Sequence, residues 1–155
     1  MNKKVKKQNI NKCQSKLEQQ IRVWIASLYD VEIEYMSNAY PFFCDFFIPE
    51  LDLYIEIQSY MTHGPEPFNS KNKEHIALLK KWHEYEEDEH IYAKAIDTWA
   101  RHDVKKRKKA IKNNLKYLEF YGSTLDEFKD AFHKYLKNKT HHQVYVYEYA
   151  TRKTL

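Results

Sequence analysis

The stretch FFCDFFIPELDLYIEIQ, residues 42–58, contains the clearest structural pattern in this chain. Residues 42–48 and 51–58 are two apolar runs rich in aromatic and β-branched residues, and Pro49-Glu50 between them is a turn signal. The stretch therefore predicts a β-hairpin. If the hairpin turns about Glu50-Leu51, Asp45 and Glu56 are equidistant from the turn and face each other on adjacent strands, with Cβ atoms roughly 5 Å apart.

Two facing carboxylates in apolar surroundings require an explanation. Like charges across a sheet repel, and apolar neighbours increase the cost of keeping both ionised. A divalent cation removes that cost, and Mg²⁺ in particular binds one or two protein carboxylates together with water and a substrate phosphate. Asp45 and Glu56 are therefore candidate metal ligands, and Gln58, two residues after Glu56, shares its face of the strand. The alternative is an ordinary solvated sheet face, on which acidic residues are also common.

Regular patterns on both sides of the hairpin predict helices and further strands. A capping box at Ser15 opens a helix to about Tyr29, and Asp103 is placed to cap a basic helix that ends near Asn113-Asn114. The other predicted elements are strands at 31–35, 115–121 and 144–149, helices at 73–87, 90–99 and 124–136, and a loop at 63–67. This order predicts an α+β domain with one mixed β-sheet flanked by helices.

The length of 155 residues suits a single domain. We expect a basic N-terminal arm over residues 1–14, a folded domain over 15–138, and a C-terminal tail over 139–155 that contains an edge strand. The two cysteines form no disulfide or metal-binding pattern, and charges interrupt every apolar run before it reaches membrane-spanning length. These features, with the lack of a signal-peptide pattern, predict a soluble cytoplasmic protein without a membrane partner.

The charge of the chain is segregated. The formal net charge is +4, but basic residues cluster at 3–16 and 101–116, with an acidic patch at 84–89 between them. Separate basic blocks attract the phosphate backbone of nucleic acid. The alternative is that such runs are solvated helix faces. The candidate phosphate contacts are Arg101, Lys105, Lys106, Arg107 and Lys109.

The hairpin motif resembles a known nuclease signature. Asp45, ten residues, and then Glu56-Ile57-Gln58 resemble the core of the PD-(D/E)xK nucleases, in which an Asp, an acid and usually a Lys lie on one hairpin. Gln58 stands in the place of that Lys. The wider stretches DFFIPELDLYIEIQSYMTH, residues 45–63, and TWARHDVKKRKKAIKNNLKYLEFY, residues 98–121, resemble phage homing endonucleases related to very-short-patch-repair endonucleases. The resemblance extends over residues 15–128.

The resemblance implies a restriction-endonuclease-like core over the 15–138 domain and an E, D, x, H, D set of active-site residues. By position, the set comprises Glu18, Asp45, the Glu56 to Gln58 strand, His63 and Asp103. The implied activity is a Mg²⁺-dependent, or Mn²⁺-dependent, endonuclease acting on double-stranded DNA, encoded by a phage or another mobile element. A monomer would nick one strand, whereas a homodimer could cut both.

Each added residue also has a structural interpretation. Glu18 could simply complete the capping box with Ser15, and His63 could stabilise its turn rather than act as an acid or base. Asp103 could be only a helix cap. Because Gln58 replaces the usual Lys, a catalytically degenerate nucleic-acid-binding protein with the same fold is the alternative function, and a protein-interaction module is a third.

Overall fold

The computed structural model describes residues 15–58 and 61–137, together with a backbone strand over 145–149. The helices are α1 Lys16–Ala26, α2 Lys73–Tyr85, α3 His90–Asp97, α4 Asp103–Lys112 and α5 Leu125–Lys137. The strands are β1 Glu32–Tyr35, β2 Cys44–Ile48, β3 Leu53–Ile57, β4 Lys116–Tyr121 and β5 Tyr145–Tyr149. The chain is an α+β structure with one mixed sheet and flanking helices, which confirms this coarser part of the predicted fold.

The sheet has the strand order β1-β2-β3-β4-β5. β1, β2 and β3 are antiparallel neighbours, whereas β4 is parallel to both β3 and β5. In the β2–β3 register Phe46 faces Ile55 and Phe47 faces Tyr54. Continuing that register by one residue brings Asp45 opposite Glu56, as the sequence predicts. The connection is a short 3₁₀ turn, Pro49–Leu51, closed by Asp52 in the left-handed region at φ 50°.

The two faces of the sheet differ in chemistry because side chains alternate along each strand. On one face, apolar side chains such as Phe46, Ile55 and Leu118 form the main core with α1 and α5. The other face carries Tyr54, Glu56, Tyr117, Glu119 and Tyr121, all of which are buried. The inward side of α4 carries Asp103, Lys106, Arg107 and Ala110, and its two cations contact carboxylates of this polar face. The central strands are thus covered on both faces, and one of these interfaces is largely polar.

A π-helical turn joins two helices that the sequence predicts as separate. Thr98–His102 connects α3 directly to α4, and Asp103 has helical backbone angles, φ −64° and ψ −34°. The prediction that Asp103 caps a new helix is therefore wrong, because the helical backbone does not stop before it. The prediction for the other end is confirmed, since α4 ends at Lys112 and Asn114 takes the left-handed conformation at φ 53°.

A separate hydrophobic cluster lies between α2, α3 and the π-helical turn. Its buried members are Trp82, Ala95, Ile96 and Trp99.

None of the helices in the described part of the chain is both long and apolar enough to cross a membrane. The predicted basic arm lies outside the described residues, whereas the predicted tail strand forms an outer edge of the sheet as β5.

Candidate active site

The site is centred on the paired carboxyl groups of Asp45 and Glu56. Glu56 is 4% exposed, and Asp45 is partly buried, with its Oδ2 accepting a hydrogen bond of 2.7 Å from the backbone N–H of Ile57. Burial raises the pKa of Asp45, although that N–H, the charges of Lys106 and His63, and a hydrogen bond with Glu56 oppose the rise. Burial and the neighbouring Asp45 raise the pKa of Glu56 well above its ordinary value. The fold thus maintains two carboxyl groups that resist being ionised together.

Glu56 is held from two sides. Tyr40, which is fully buried in the loop before β2, donates its hydroxyl to Glu56 Oε1 at 3.1 Å. Lys106, on the inner side of α4, forms an ion pair through its Nζ with the same oxygen. Burial alone would lower the pKa of Lys106, but Glu56, Asp45 and Asp103 together raise it. Lys106 is therefore a buried cation that is paired with Glu56 and attracted by Asp45 and Asp103.

The neighbouring cation, Arg107, has a separate partner. Its Nε and Nη2 donate to the two carboxylate oxygens of Glu119 at 3.1 and 2.8 Å, and Tyr121 donates its hydroxyl to Glu119 Oε2 at 2.9 Å. Arg107 and Lys106 are 8% and 9% exposed. The prediction that both residues contact phosphate at the surface is wrong, because the helix turns both side chains towards buried carboxylates of the sheet.

His63 and Asp103 form the second part of the site. His63 ends a short 3₁₀ turn, Met61–His63, that follows β3, and its Nδ1 lies 2.6 Å from Oδ2 of Asp103. The side chain of Asp103 is 2% exposed and that of His63 is 26% exposed. An ionised carboxylate can only accept a hydrogen bond, so an ionised Asp103 would keep a proton on Nδ1 and leave Nε2 as the ring nitrogen available to another partner.

The loop after His63 is fixed against Trp99. Gly64 has φ +68°, and a Cβ added there would lie 2.3 Å from the indole ring, so the close approach requires glycine. The indole Nε1 donates to the carbonyl of Glu66 at 2.8 Å, and the Glu66 carboxylate lies 2.8 Å from Nε2 of the buried His75. Trp99 and Asp103 therefore bind the same loop from one continuous helical segment.

Glu18 lies near Asp45 and His63, at the start of α1. Ser15 accepts a hydrogen bond from the backbone N–H of Glu18 and donates its hydroxyl to the carboxylate, both at 3.2 Å, so the helix-cap interpretation is confirmed. Burial and the charge of Asp45 nevertheless raise the pKa of Glu18 to about 7, while Ser15 and His63 partly oppose that rise. Glu18 therefore contributes to the cap of α1 and also interacts electrostatically with Asp45 and His63.

The remaining predicted residues lie in different environments. Gln58 follows β3 directly and is 5% exposed, and its backbone N–H donates to the Phe120 carbonyl at 2.7 Å. Arg101 and Lys105 are exposed, and Lys109 is partly buried. Arg101 lies 3.8 Å from the exposed carboxylate of Asp97. An outward stripe of cations runs along the π-helical turn and α4, and it consists of Arg101, Lys105, Lys108 and Lys112.

The donor chemistry of the pair fits a small divalent cation. Asp45 and Glu56 offer oxygen ligands of the kind that Mg²⁺ prefers, and both carry the raised pKa that a bound cation would relieve. Within the described residues, no three His, Cys, Asp or Glu side chains group closely enough to hold a metal ion by themselves. Two protein carboxylates are compatible with Mg²⁺ because water and substrate oxygens usually complete its shell.

Comparisons with protein-family models, curated proteins and solved structures found no match to this chain.

The sequence did not predict that Lys106 and Tyr40 contact Glu56. Lys106 has a usable signal, because Asp103, Lys106, Arg107 and Ala110 follow the i, i+3, i+4, i+7 spacing of one helix face. This face has a single small residue, Ala110, among three charged residues. Such a face can be buried only where groups of opposite charge lie opposite it. Tyr40 has no such signal, since it lies in an irregular loop and reaches Glu56 only through the tertiary fold.

Proposed function

We propose that this chain is a metal-dependent endonuclease that hydrolyses phosphodiester bonds in double-stranded DNA. The observation that carries the proposal is the convergence of distant acidic and basic residues at one place. Asp45 and Glu56 face each other on β2 and β3, His63 pairs with Asp103, and Glu18 interacts electrostatically with Asp45 and His63. A cluster of groups with perturbed pKa is typical of active sites.

Asp45 and Glu56 would hold Mg²⁺, or Mn²⁺ in its place. When bound, such an ion activates a water molecule and stabilises the charge that develops on a phosphate during in-line displacement. The buried position of Glu56 and the hydrogen bond from Ile57 to Asp45 fix the direction in which both carboxylates point. That rigidity favours catalysis because the ligands need no rearrangement when substrate arrives.

His63 and Glu18 are the groups suited to proton transfer. The partly exposed ring of His63 has its Nδ1 bound to Asp103, so its Nε2 can give or take a proton at an attacking water or a leaving oxygen. Asp103 acts through His63 and is a positioning residue. Glu18, with a pKa of about 7, can exchange a proton near neutral pH.

Lys106 supplies the positive charge that Gln58 cannot. In the PD-(D/E)xK signature a Lys on the hairpin accompanies the acids, and here the hairpin position is Gln58. The ammonium group of Lys106 reaches Glu56 from α4 instead. This contact favours a catalytic site over a degenerate one, because the set of charges remains complete although one residue comes from another element.

The outward stripe of α4 provides the surface for the DNA backbone. Lys105, Lys108 and Lys112 recur at i, i+3 and i+7, so they line one side of the helix, and Arg101 extends the stripe by a turn. Cations in a row contact successive phosphates and position a duplex without reading its sequence. A restriction-endonuclease-like core, a homing-endonuclease role and a phage or mobile-element origin are the finer parts of this proposal, supported by the resemblance of the hairpin motif.

Incubation of supercoiled plasmid with purified protein tests the proposal. We expect nicking or linearisation by wild type with Mg²⁺, none with chelator, and none by Asp45→Asn. Asp52→Asn is the matched control: it neutralises an exposed carboxylate in the β2–β3 turn, and asparagine tolerates its left-handed conformation. Cleavage that survives in Asp45→Asn would exclude the proposed site.

Binding without cleavage is the alternative outcome. Gln58 in the usual place of a lysine is the observation that favours it. If every sample leaves DNA intact while a mobility-shift assay detects salt-sensitive binding, the chain is a nucleic-acid-binding protein that retains the site residues without the activity.

A further inference from the structure

We propose that Lys106 is a resident cation of the carboxylate site, which a divalent metal must displace from Glu56 before it can bind. This inference rests on the proposed function, because it concerns the metal which that function requires. Nothing in the hairpin motif predicts it, since the lysine comes from a helix 50 positions beyond Glu56 in the chain.

The contacts of Lys106 carry the inference. Its Nζ forms an ion pair with Oε1 of Glu56, the oxygen that also accepts the Tyr40 hydroxyl. Asp45 and Asp103 add further attraction for the same ammonium group. A cation that contacts Glu56 and is attracted by two further acidic residues occupies the electrostatic environment that would otherwise attract a metal ion.

The neighbouring groups show why Lys106 has this position. Arg107, the next residue along α4, is committed to Glu119 by two hydrogen bonds. Glu56 and Glu119 face each other in the β3–β4 register, and Glu119 itself raises the pKa of Glu56. Without the positive charge of Lys106, the carboxyl groups of Asp45, Glu56 and Glu119 would repel one another more strongly. Lys106 therefore stabilises the metal-free fold.

Lys106 and a divalent metal ion cannot both bind Glu56 tightly at the same time. An ammonium group and a divalent ion bound to one carboxylate repel each other strongly in a buried site. Lysine can leave because its charge lies at the end of a flexible four-carbon chain. Once displaced, the ammonium group would remain tethered to α4 near Asp45 and Glu56, where it would be available to a substrate phosphate.

Metal binding without DNA tests the proposal. Mn²⁺ is titrated into the full-length protein at pH 8.5, and unbound Mn²⁺ is measured by electron paramagnetic resonance. The samples are wild type, Lys106→Met, Lys106→Gln and Asp45→Asn. Lys105→Met is the matched control, because it removes an exposed lysine from the adjacent position of the same helix.

We expect Mn²⁺ to bind Lys106→Met and Lys106→Gln about tenfold or more tightly than wild type, because the competing cation is gone. Lys105→Met should match wild type, and Asp45→Asn should bind weakly. Thermal melts followed by circular dichroism identify the folded variants. If neither Lys106 variant folds, ¹⁵N NMR of the lysine ammonium groups in wild type replaces the titration. The ammonium signal of Lys106, which contacts Glu56, should shift when Mg²⁺ is added.

Two results would overturn the inference: unchanged or weaker Mn²⁺ binding in folded Lys106 variants, or an ammonium signal that does not respond to Mg²⁺. The proposed function can fail independently of this inference. If wild type nicks plasmid with Mg²⁺ while the Lys106 variants bind Mn²⁺ no better, only the resident-cation inference is lost. If the variants bind Mn²⁺ tightly but wild type never cleaves DNA, only the nuclease proposal is lost.

Discussion

His63 Nδ1 and Asp103 Oδ2 lie 2.6 Å apart, although the two residues are separated by 40 positions in the chain. The contact joins the turn after β3 to the first residue of α4. It forms because the π-helical turn carries the helix past Trp99 and into Asp103 without a break. The pair orients an imidazole towards solvent from a buried carboxylate, which is the arrangement that a proton-transfer histidine needs.

Asp103→Asn should lower DNA cleavage while leaving DNA binding nearly unchanged. An amide in place of the carboxylate no longer fixes the proton on Nδ1, so Nε2 loses its role as base. We expect kcat to fall by about 10²- to 10⁴-fold, the usual contribution of general acid–base catalysis. Plasmid-nicking rates at saturating Mg²⁺ measure the effect, and the exposed Asp97→Asn is the control. A rate within twofold of wild type would exclude this role for Asp103.

Gly64→Ala should destabilise the fold and displace His63. The new methyl group would meet the Trp99 ring at 2.3 Å, and φ +68° is unfavourable for alanine. We expect the free energy of unfolding to fall by about 1–3 kcal/mol. Urea unfolding measures it, and the same change in a Trp99→Leu background isolates the steric part through a double-mutant cycle. Equal losses in both backgrounds would show that the indole contact is unimportant.

Glu18→Gln should alter the pH dependence of stability. Folding raises the pKa of Glu18 from 4.5 to about 7, so its contribution to stability is fully present below pH 4.5 and is lost as the pH rises through 7. The variant should therefore become more stable relative to wild type as the pH rises from 4.5 to 8. Urea unfolding at several pH values measures the difference between the two proteins. A difference that does not change with pH would contradict the raised pKa.

Arg107→Met should destabilise the protein strongly. The side chain of Glu119 has no exposure, and the variant would leave its carboxylate without the two hydrogen bonds from the guanidinium group. Removing one partner of a buried ion pair typically costs about 3–5 kcal/mol. Chemical unfolding should show that loss, and the double variant Arg107→Met with Glu119→Gln should recover part of it. A loss below 1 kcal/mol, about the value of an exposed pair, would contradict the buried ion pair.

Arg101→Ala, Lys105→Ala and Lys108→Ala together should weaken DNA binding on every sequence tested. These side chains are exposed on one helix side, so their removal leaves the core and the site intact. Each lost phosphate contact should reduce the slope of log affinity against log salt by about 0.9. Fluorescence anisotropy with labelled duplexes at several salt concentrations measures that slope. A loss confined to one sequence would indicate base contacts instead of backbone contacts.

The sequence by itself determined the hairpin and its register. Alternating side chains and a short turn leave one pairing that buries Phe46 and Ile55 on the same face, and the same pairing brings Asp45 opposite Glu56. Helix starts at Ser15 and Thr124 were equally local, because a capping hydroxyl acts within three residues. Interactions between residues a few positions apart can be predicted from the local sequence.

Which charges are buried depends on the tertiary structure. From composition and charge alone, Lys106 and Arg107 belong to the same basic run as Lys105 and Lys108. The continuous α3–α4 segment fixes which side of the helix meets the sheet, and only on that side do carboxylates from other strands compensate the cost of burying a charge. The roles of Lys106 and Asp103 therefore depend on contacts between residues far apart in the chain. Their i, i+3 spacing indicates that they share a helix face, but it does not indicate which groups that face meets.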